Sequence, residues 1–136
     1  MKRPYVIVVD DEADTRAAVG SLVELILGDR PGAIVTSASS SDDALSLVDR
    51  APPEAVVIVI SDFDLGEGRN GSDVLAEAQR RVPGCRRVLL SGCDVDDVCD
   101  VSEFSDCFVQ KPPDVAEFTE LVLALADGQA APRRVL

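Results

Sequence analysis

Charged and hydroxyl side chains follow several of the short apolar segments of this 136-residue chain. They comprise four carboxylates, one hydroxyl and one ammonium: Asp10, Asp11, Asp62, Asp64, Ser91 and Lys111. Carboxylates within a few ångströms of one another ionise together only when a cation joins them, and a divalent ion with oxygen ligands, Mg²⁺ by availability, meets that need. One carboxylate can then attack phosphorus to form an acyl phosphate, while Lys111 neutralises one phosphoryl oxygen and Ser91 donates a hydrogen bond to another.

The composition excludes several other kinds of chemistry. The chain has no His, and its 13 basic and 25 acidic residues give a formal net charge of −12 at pH 7. Without His, zinc ligation by imidazole and Ser-His-Asp or Cys-His catalysis are excluded, so the carboxylates must carry the chemistry. A surface this negative repels phosphate backbones and anionic lipid headgroups, so we expect no direct nucleic-acid partner and no membrane partner. No apolar run approaches the ~20 residues of a membrane-spanning helix, which favours a cytoplasmic protein.

Five apolar runs rich in Val and Ile alternate with helical patterns along the chain. The predicted strands are 5–9, 33–37, 55–60, 87–90 and 107–109. Helical spacing of apolar residues follows each strand; Ser72 opens the third helix, the fourth pattern (94–104) is weak, and Asp114 with Glu117 forms a capping box before the last. This alternation predicts an α/β fold with a parallel sheet and helices on both faces. Ligands bind outside the carboxyl ends of the strands in such sheets, so we expect the polar groups to meet at one edge.

The order of these motifs resembles the receiver domain of two-component response regulators over residues 4–127. The matching motifs are an acidic pair, an acceptor aspartate followed by Leu-Gly, a Ser-Gly step, a Lys-Pro step and an aromatic residue three positions before the lysine: Asp10-Asp11, Asp62 with Leu65-Gly66, Ser91-Gly92, Lys111-Pro112 and Phe108. The resemblance implies a flavodoxin-like, doubly wound (βα)₅ fold whose five-stranded parallel sheet has the order 2-1-3-4-5. It divides the chain into a receiver domain, 1–127, and a C-terminal tail or linker, 128–136.

The resemblance also implies roles for the acidic residues. A histidine kinase or a phosphotransfer protein passes a phosphoryl group to Asp62, so the chain is expected to be a phospho-accepting switch and not an enzyme. Magnesium is the implied cofactor. Asp11 and Asp62 bind the ion directly, Asp10 binds it through water, and the main-chain carbonyl of Asp64 supplies a further ligand.

The family's switch residues correspond to Ser91 and Phe108. In the family the phosphoryl group draws the hydroxyl inward and the aromatic side chain turns from exposed to buried. These movements shift a pre-existing equilibrium between two conformations of one surface. That surface is formed by the fourth helix, the fifth strand and the fifth helix of the predicted fold. Phe108 has no hydroxyl, so its switch would work by packing alone. The Lys111–Pro112 peptide bond is expected to be cis, as in the family, which places the ammonium at the site.

The output surface, which we define as residues 94–127, is strongly acidic. It contains ten acidic residues and one basic residue: Asp94, Asp96, Asp97, Asp100, Glu103, Asp106, Asp114, Glu117, Glu120, Asp127 and Lys111. Like charges would face each other across a symmetric dimer of this surface. We therefore expect a monomer or weak dimer and a basic output protein as the partner; the alternative is an acidic surface that is merely solvated.

Two further groups of residues are expected to have no part in the chemistry. Four arginines would lie toward the opposite edge of the sheet and be solvated: Arg80, Arg81, Arg86 and Arg87. The four cysteines form no CxxC pair and are expected to be free thiols packed as small apolar groups: Cys85, Cys93, Cys99 and Cys107.

The start at Met1, close to the first strand, favours a stand-alone receiver or one at the N-terminus of a longer protein.

Two alternative interpretations stay open from the sequence. Haloacid-dehalogenase-type phosphatases also have Asp-x-Asp after a strand, followed by a Ser or Thr strand end and a lysine. In that interpretation Asp62 is the nucleophile and Asp64 the general acid. That family's remaining magnesium ligands follow the lysine, whereas the acidic pair here precedes Asp62. The second alternative is a flavodoxin-like domain without phosphoryl chemistry.

Overall fold

The computed structural model describes residues 3–66, 70–92, 106–111, 113–128 and 134–135. These residues form six strands: β1 Pro4–Val9, β2 Ile34–Ala38, β3 Val56–Asp62, β4 Arg86–Ser91, β5 Cys107–Gln110 and β6 Arg134–Val135. The same ranges contain four helices: α1 Ala13–Ile26, α2 Ser41–Asp49, α3 Gly71–Arg81 and α4 Val115–Ala126. The helix predicted over 94–104 lies outside the described residues.

All strands are parallel and are ordered β2-β1-β3-β4-β5-β6. The first five confirm the predicted α/β fold and its strand order. β6 was not predicted, since it falls in the segment interpreted as a tail or linker. Its two residues pair with β5, Arg134 opposite Cys107 and Val135 opposite Phe108.

The sheet separates two apolar cores, because β1 and β3 are apolar on both faces and alternate side chains point to opposite sides. Val6 and Val8 belong to the core shared with α1 and α4. Ile7 and Val9 belong to the core shared with α2 and α3. Helices therefore cover both faces, and the open positions lie at the ends of the strands.

Side-chain caps fix where three helices begin. Ser40 accepts a hydrogen bond from the Asp43 amide at 3.2 Å at the start of α2. Asn70 accepts one from the Asp73 amide at 3.2 Å, so α3 begins at Gly71 and not at Ser72 as predicted. The predicted Asp114 cap is present, 3.0 Å from the Glu117 amide. Such caps contribute ~1 kcal/mol each.

Arg87 corrects the expectation that the arginines near β4 are solvated. It is 4% exposed, because its position in β4 places it on the same face as the buried Cys85 and Leu89. The carboxylate of Asp106 compensates part of its charge at 3.5 Å from Nη2, and also accepts from the Arg87 amide at 2.8 Å. Arg80, by contrast, is well exposed.

The expectation of free thiols is confirmed for the two cysteines that the structure describes. Cys85 and Cys107 are free and buried. Both belong to the apolar cores, one on each face of the sheet. Cys93 and Cys99 lie outside the described residues.

Candidate functional site

The parallel register brings the ends of four strands to one edge of the sheet. Val9 lies opposite Ser61, and Ser91 lies opposite Gln110. The residues just beyond or at these positions are therefore neighbours. They are the predicted site residues Asp10, Asp62, Ser91 and Lys111.

Lys111 connects two of the predicted carboxylates. Its Nζ lies 2.9 Å from Oδ1 of Asp62 and 3.2 Å from Oδ2 of Asp10. The amide of Lys111 donates a 2.8 Å hydrogen bond to the carbonyl of Ser91, which holds the start of this loop against the end of β4. The ammonium is thus positioned between β1 and β3, where a phosphoryl group on Asp62 would carry its charge.

Three carboxylates form a cluster that fits a divalent cation. Asp10, Asp11 and Asp62 each offer an oxygen, and these atoms lie within 4.8 Å of one another. Asp10 is 2% exposed and Asp62 is partly buried, while Asp11 is exposed to solvent. Oxygen donors of this kind suit Mg²⁺, which retains several water ligands when bound through one or two carboxylates. The exposed side of the cluster, at Asp11, leaves space for those water ligands, and Asp10 closes the buried side.

Two hydrogen bonds between side chains and the backbone fix the turn that carries the acidic pair. Oδ1 of Asp10 accepts from the Glu12 amide at 2.9 Å. Nη1 of Arg16 donates to the carbonyl of Asp10 at 2.8 Å. Sequence analysis did not identify Arg16, although its position on the first turns of α1 points its side chain back along the helix toward the site.

The pKa shifts of Asp62 and Lys111 reflect their burial and their pairing with each other. Burial raises the pKa of Asp62, and the charge of Asp10 adds to this rise against the opposing effect of Lys111. Burial alone would lower the pKa of Lys111, but its hydrogen bonds and charge interactions with Asp62 and Asp10 outweigh that and raise it. One ammonium shared by two carboxylates leaves room for a second cation.

Gly71 is a site-forming residue that sequence analysis missed. A Cβ at this position would lie 2.1 Å from the Asp62 carbonyl oxygen and 2.6 Å from Oγ of Ser61. The Gly71 amide also donates to the carbonyl of Phe63 at 2.6 Å. The start of α3 therefore packs directly on the backbone of Asp62, and only glycine permits this approach.

Asp64 lies apart from the carboxylate cluster. It is exposed, and its Oδ1 accepts a 3.0 Å hydrogen bond from the Gly66 amide within the loop after β3. Gly66 has a positive φ of 75°, and a Cβ there would lie 3.2 Å from Oδ2 of Asp11. The loop thus closes against Asp11, while the Asp64 side chain is used in shaping the loop.

The two predicted switch residues are both buried. Ser91 ends β4, and Phe108 is 1% exposed in the core shared with α2 and α3. Pro112, and with it the predicted cis bond, lies outside the described residues.

An apolar groove of about 550 Å³ adjoins the site. It is lined by one side of α1, the end of β4 and the loop after β5: Thr15, Ala18, Leu22, Leu90, Lys111 and Pro113. The groove therefore contains the residue that bridges the two carboxylates. Within the described ranges, no helix is long and apolar enough to cross a membrane.

Neither the protein-family models nor the curated proteins give a match to this sequence. Solved structures do match. A response regulator receiver domain protein from Clostridium thermocellum is 21% identical with a TM-score of 0.75, the match covering 92% of this chain and 95% of that one. A two-component response regulator of the LuxR family from Aurantimonas sp. SI85-9A1 is 22% identical with a TM-score of 0.74, over 99% and 90%.

A response regulator from Burkholderia pseudomallei is also similar in structure. It is 23% identical with a TM-score of 0.67, and the match covers 90% of this chain and 66% of that one. Its structure contains a phosphorylated aspartic acid, a calcium ion and citrate. The fold of the present chain is that of response regulator receiver domains.

Proposed function

We propose that this protein takes part in two-component signalling by accepting a phosphoryl group on Asp62. The observation that carries the proposal is the position of the Lys111 ammonium between Asp62 and Asp10, beside the exposed carboxylate of Asp11. The receiver fold supports it, as does the phosphorylated aspartic acid in the Burkholderia pseudomallei neighbour. The chain acts as a switch whose own chemistry is limited to gaining and losing that group.

In this proposal an oxygen of the Asp62 carboxylate attacks phosphorus in the phosphohistidine of a histidine kinase or phosphotransfer protein. The new bond joins this oxygen to phosphorus, the nitrogen–phosphorus bond breaks, and imidazole leaves with its electron pair. This chain contains no His, so the donor must come from the partner. Lys111 balances the charge that accumulates on the phosphoryl oxygens.

Magnesium is the proposed cofactor, and when bound it would neutralise the phosphoryl and carboxylate charge together. Asp11 and Asp62 would hold the ion directly, Asp10 would hold it through water, and the main-chain carbonyl of Asp64 would supply a further ligand. The three-carboxylate cluster supports this assignment. The raised pKa of Asp62, caused first by burial, also favours a site that gains a cation.

The groove beside Lys111 is the proposed docking surface for the phosphoryl donor. Its lining is apolar along α1 and it opens next to the acceptor, so a helix of the donor can bury apolar side chains there while its histidine reaches Asp62. A phosphoryl donor that docked outside this groove would reach Asp62 without burying apolar side chains against α1.

Ser91 and Phe108 are proposed to transmit the state of Asp62 to the output surface. Ser91 donates a hydrogen bond to a phosphoryl oxygen, and the packing of Phe108 then favours the active form of the surface. The acidic character of residues 94–127 favours a basic protein as the output partner and disfavours a symmetric dimer of this surface. We therefore propose a monomer or weak dimer.

The test is incubation with a small phosphodonor and Mg²⁺, followed by measurement of the protein mass. We expect one phosphoryl adduct that withstands acid and is lost in base, absent from Asp62→Asn and present in Asp64→Asn. Asp64→Asn is the matched control because, among the described residues, the Asp64 side chain lies outside the three-carboxylate cluster and accepts a loop hydrogen bond. Continuous turnover of phosphate esters that disappears in Asp64→Asn would instead identify a haloacid-dehalogenase-type phosphatase. Absence of any adduct would leave a flavodoxin-like fold without phosphoryl chemistry.

A further inference from the structure

Arg16 holds the backbone of the turn between β1 and α1. It is the fourth residue of α1, and its amide donates to the carbonyl of Glu12 at 2.9 Å, so its main chain belongs to the regular helix. Its side chain is partly buried, and Nη1 donates to the main-chain carbonyl of Asp10 at 2.8 Å. Because helical side chains lean toward the preceding turn, this guanidinium reaches back to the end of β1.

The start of α1 is fixed differently from the starts of the other helices. Among the four helices that the structure describes, α1 alone lacks a hydrogen bond from its N-cap side chain, that of Glu12. The Asp10 carboxylate compensates in part, because Oδ1 accepts from the Glu12 amide at 2.9 Å. That carboxylate also belongs to the candidate metal cluster and contacts Lys111. The bond from Arg16 secures the same turn without using a carboxylate.

The carbonyl that Arg16 holds belongs to the peptide unit joining Asp10 to Asp11. A peptide unit is planar, so fixing its oxygen fixes the direction in which the chain continues to Asp11. On the other side of Asp10, its amide donates to the carbonyl of Ala38 at 3.1 Å, which ties the end of β1 to β2. Asp11 itself is exposed, so core packing does not orient its carboxylate. The backbone must orient it, and Arg16 controls that backbone.

We propose that Arg16 is a positioning residue that orients the Asp11 carboxylate toward Asp62 through the peptide unit it holds. This inference rests on the proposed magnesium and phosphoryl site. The guanidinium donates to a carbonyl oxygen, so it leaves the three clustered carboxylates to the ion and to Lys111. The two cations therefore act differently, since Lys111 compensates carboxylate charge and Arg16 fixes the backbone that carries the acidic pair.

Position and charge make opposite predictions for magnesium binding. A positive charge near a carboxylate cluster repels a metal cation, so removing a residue that acted by charge alone would tighten binding. Removing a residue that orients a metal ligand weakens binding, typically by about 10–100-fold. The direction of the change in Kd therefore separates the two roles.

Isothermal titration calorimetry of the full chain with Mg²⁺ makes this comparison. Arg16→Met removes the charge and the donors but keeps a long stem, and its Kd should rise roughly tenfold. Arg16→Lys keeps the charge and a donor on a shorter stem and should recover part of the affinity. The control Arg30→Met removes the same charge from an ion pair with Asp127, beside the first residues of β1 and β3, and should bind like the wild type. Unchanged or tighter binding by Arg16→Met would overturn the proposal.

Two further measurements distinguish failure of this inference from failure of the proposed function. Without metal, NMR relaxation of the Asp11 and Glu12 amides should show greater motion in Arg16→Met than in the wild type. With a small phosphodonor, Arg16→Met should accept the phosphoryl group slowly at low Mg²⁺ and approach the wild-type rate as Mg²⁺ saturates the site. If the wild type bound no Mg²⁺, the proposed function would fail, and the relaxation data would still decide the role of Arg16. Equal amide motion in the two proteins would contradict that role.

Discussion

Gly71 offers a sharp test of how the acceptor residue is positioned. Cβ atoms essentially never approach another heavy atom to less than 3.0 Å, whereas a methyl group at position 71 would lie 2.1 Å from the Asp62 carbonyl oxygen. In Gly71→Ala the start of α3 must therefore move away by about 0.9 Å. Overpacking of this kind costs ~1–3 kcal/mol, and loss of the bond from the residue 71 amide to Phe63 adds ~1 kcal/mol. We expect Gly71→Ala to lower the free energy of unfolding by about 2–4 kcal/mol.

Urea denaturation followed by circular dichroism measures this loss, and Gly20→Ala is the matched control. Gly20 lies inside α1 with no atom within 4 Å of a built Cβ, so alanine there should stabilise the protein by ~0.5–1 kcal/mol, the usual helix effect. Gly71→Ala should also accept the phosphoryl group more slowly, since Asp62 shifts with its backbone. If Gly71→Ala were as stable as Gly20→Ala, the close packing of α3 on the acceptor strand would be wrong.

Three further predictions concern titration, metal binding and thiol reactivity. Burial raises the pKa of Asp62 above its ordinary value of 3.8, so the folded state loses stability as pH rises from this ordinary pKa through the raised one. Asp62→Asn should therefore have a higher urea midpoint than the wild type at pH 7 and should lose this advantage at acid pH. Mg²⁺ at about 100 times its Kd should raise the free energy of unfolding of the wild type by ~2.7 kcal/mol. The same Mg²⁺ concentration should stabilise Asp11→Asn much less and should stabilise the control variant Asp14→Asn as much as the wild type. Equal stabilisation of Asp11→Asn and the wild type would contradict the metal assignment. Burial raises the pKa of Cys85 to about 11, so iodoacetamide at pH 8 should leave it unmodified in the folded protein and modify it in urea, as peptide mass mapping would show.

The sheet and the central acidic residues could be predicted because the signals are local. β1 and β3 contain continuous apolar runs, so their presence and their burial on both faces follow from the sequence, although β3 ends at Asp62 and not at residue 60 as predicted. Asp10 and Asp62 stand directly at the ends of these runs, and a parallel sheet necessarily brings those ends together. Lys111 follows the same rule at the end of β5.

Features that depend on contacts between distant segments could not be predicted in the same way. The need for glycine at position 71 comes from the backbone of Asp62, which reaches it only after the loop folds back. Arg87 is charged and was expected in solvent, but the carboxylate of Asp106, 19 residues later, makes its burial tolerable. β6 has only two residues, too few for a periodic pattern.

The central claim is that Asp62 is the phosphoryl acceptor of a magnesium-dependent site, and borohydride trapping tests it most directly. Borohydride reduces an aspartyl phosphate to homoserine, so the protein is incubated with a small phosphodonor and Mg²⁺, reduced, digested and mapped by mass spectrometry. We expect homoserine at position 62 alone, dependent on Mg²⁺ and strongly reduced in Lys111→Met, since Nζ of Lys111 lies 2.9 Å from Oδ1 of Asp62. Homoserine at another aspartate, or none at position 62 while the protein remains folded, would contradict it.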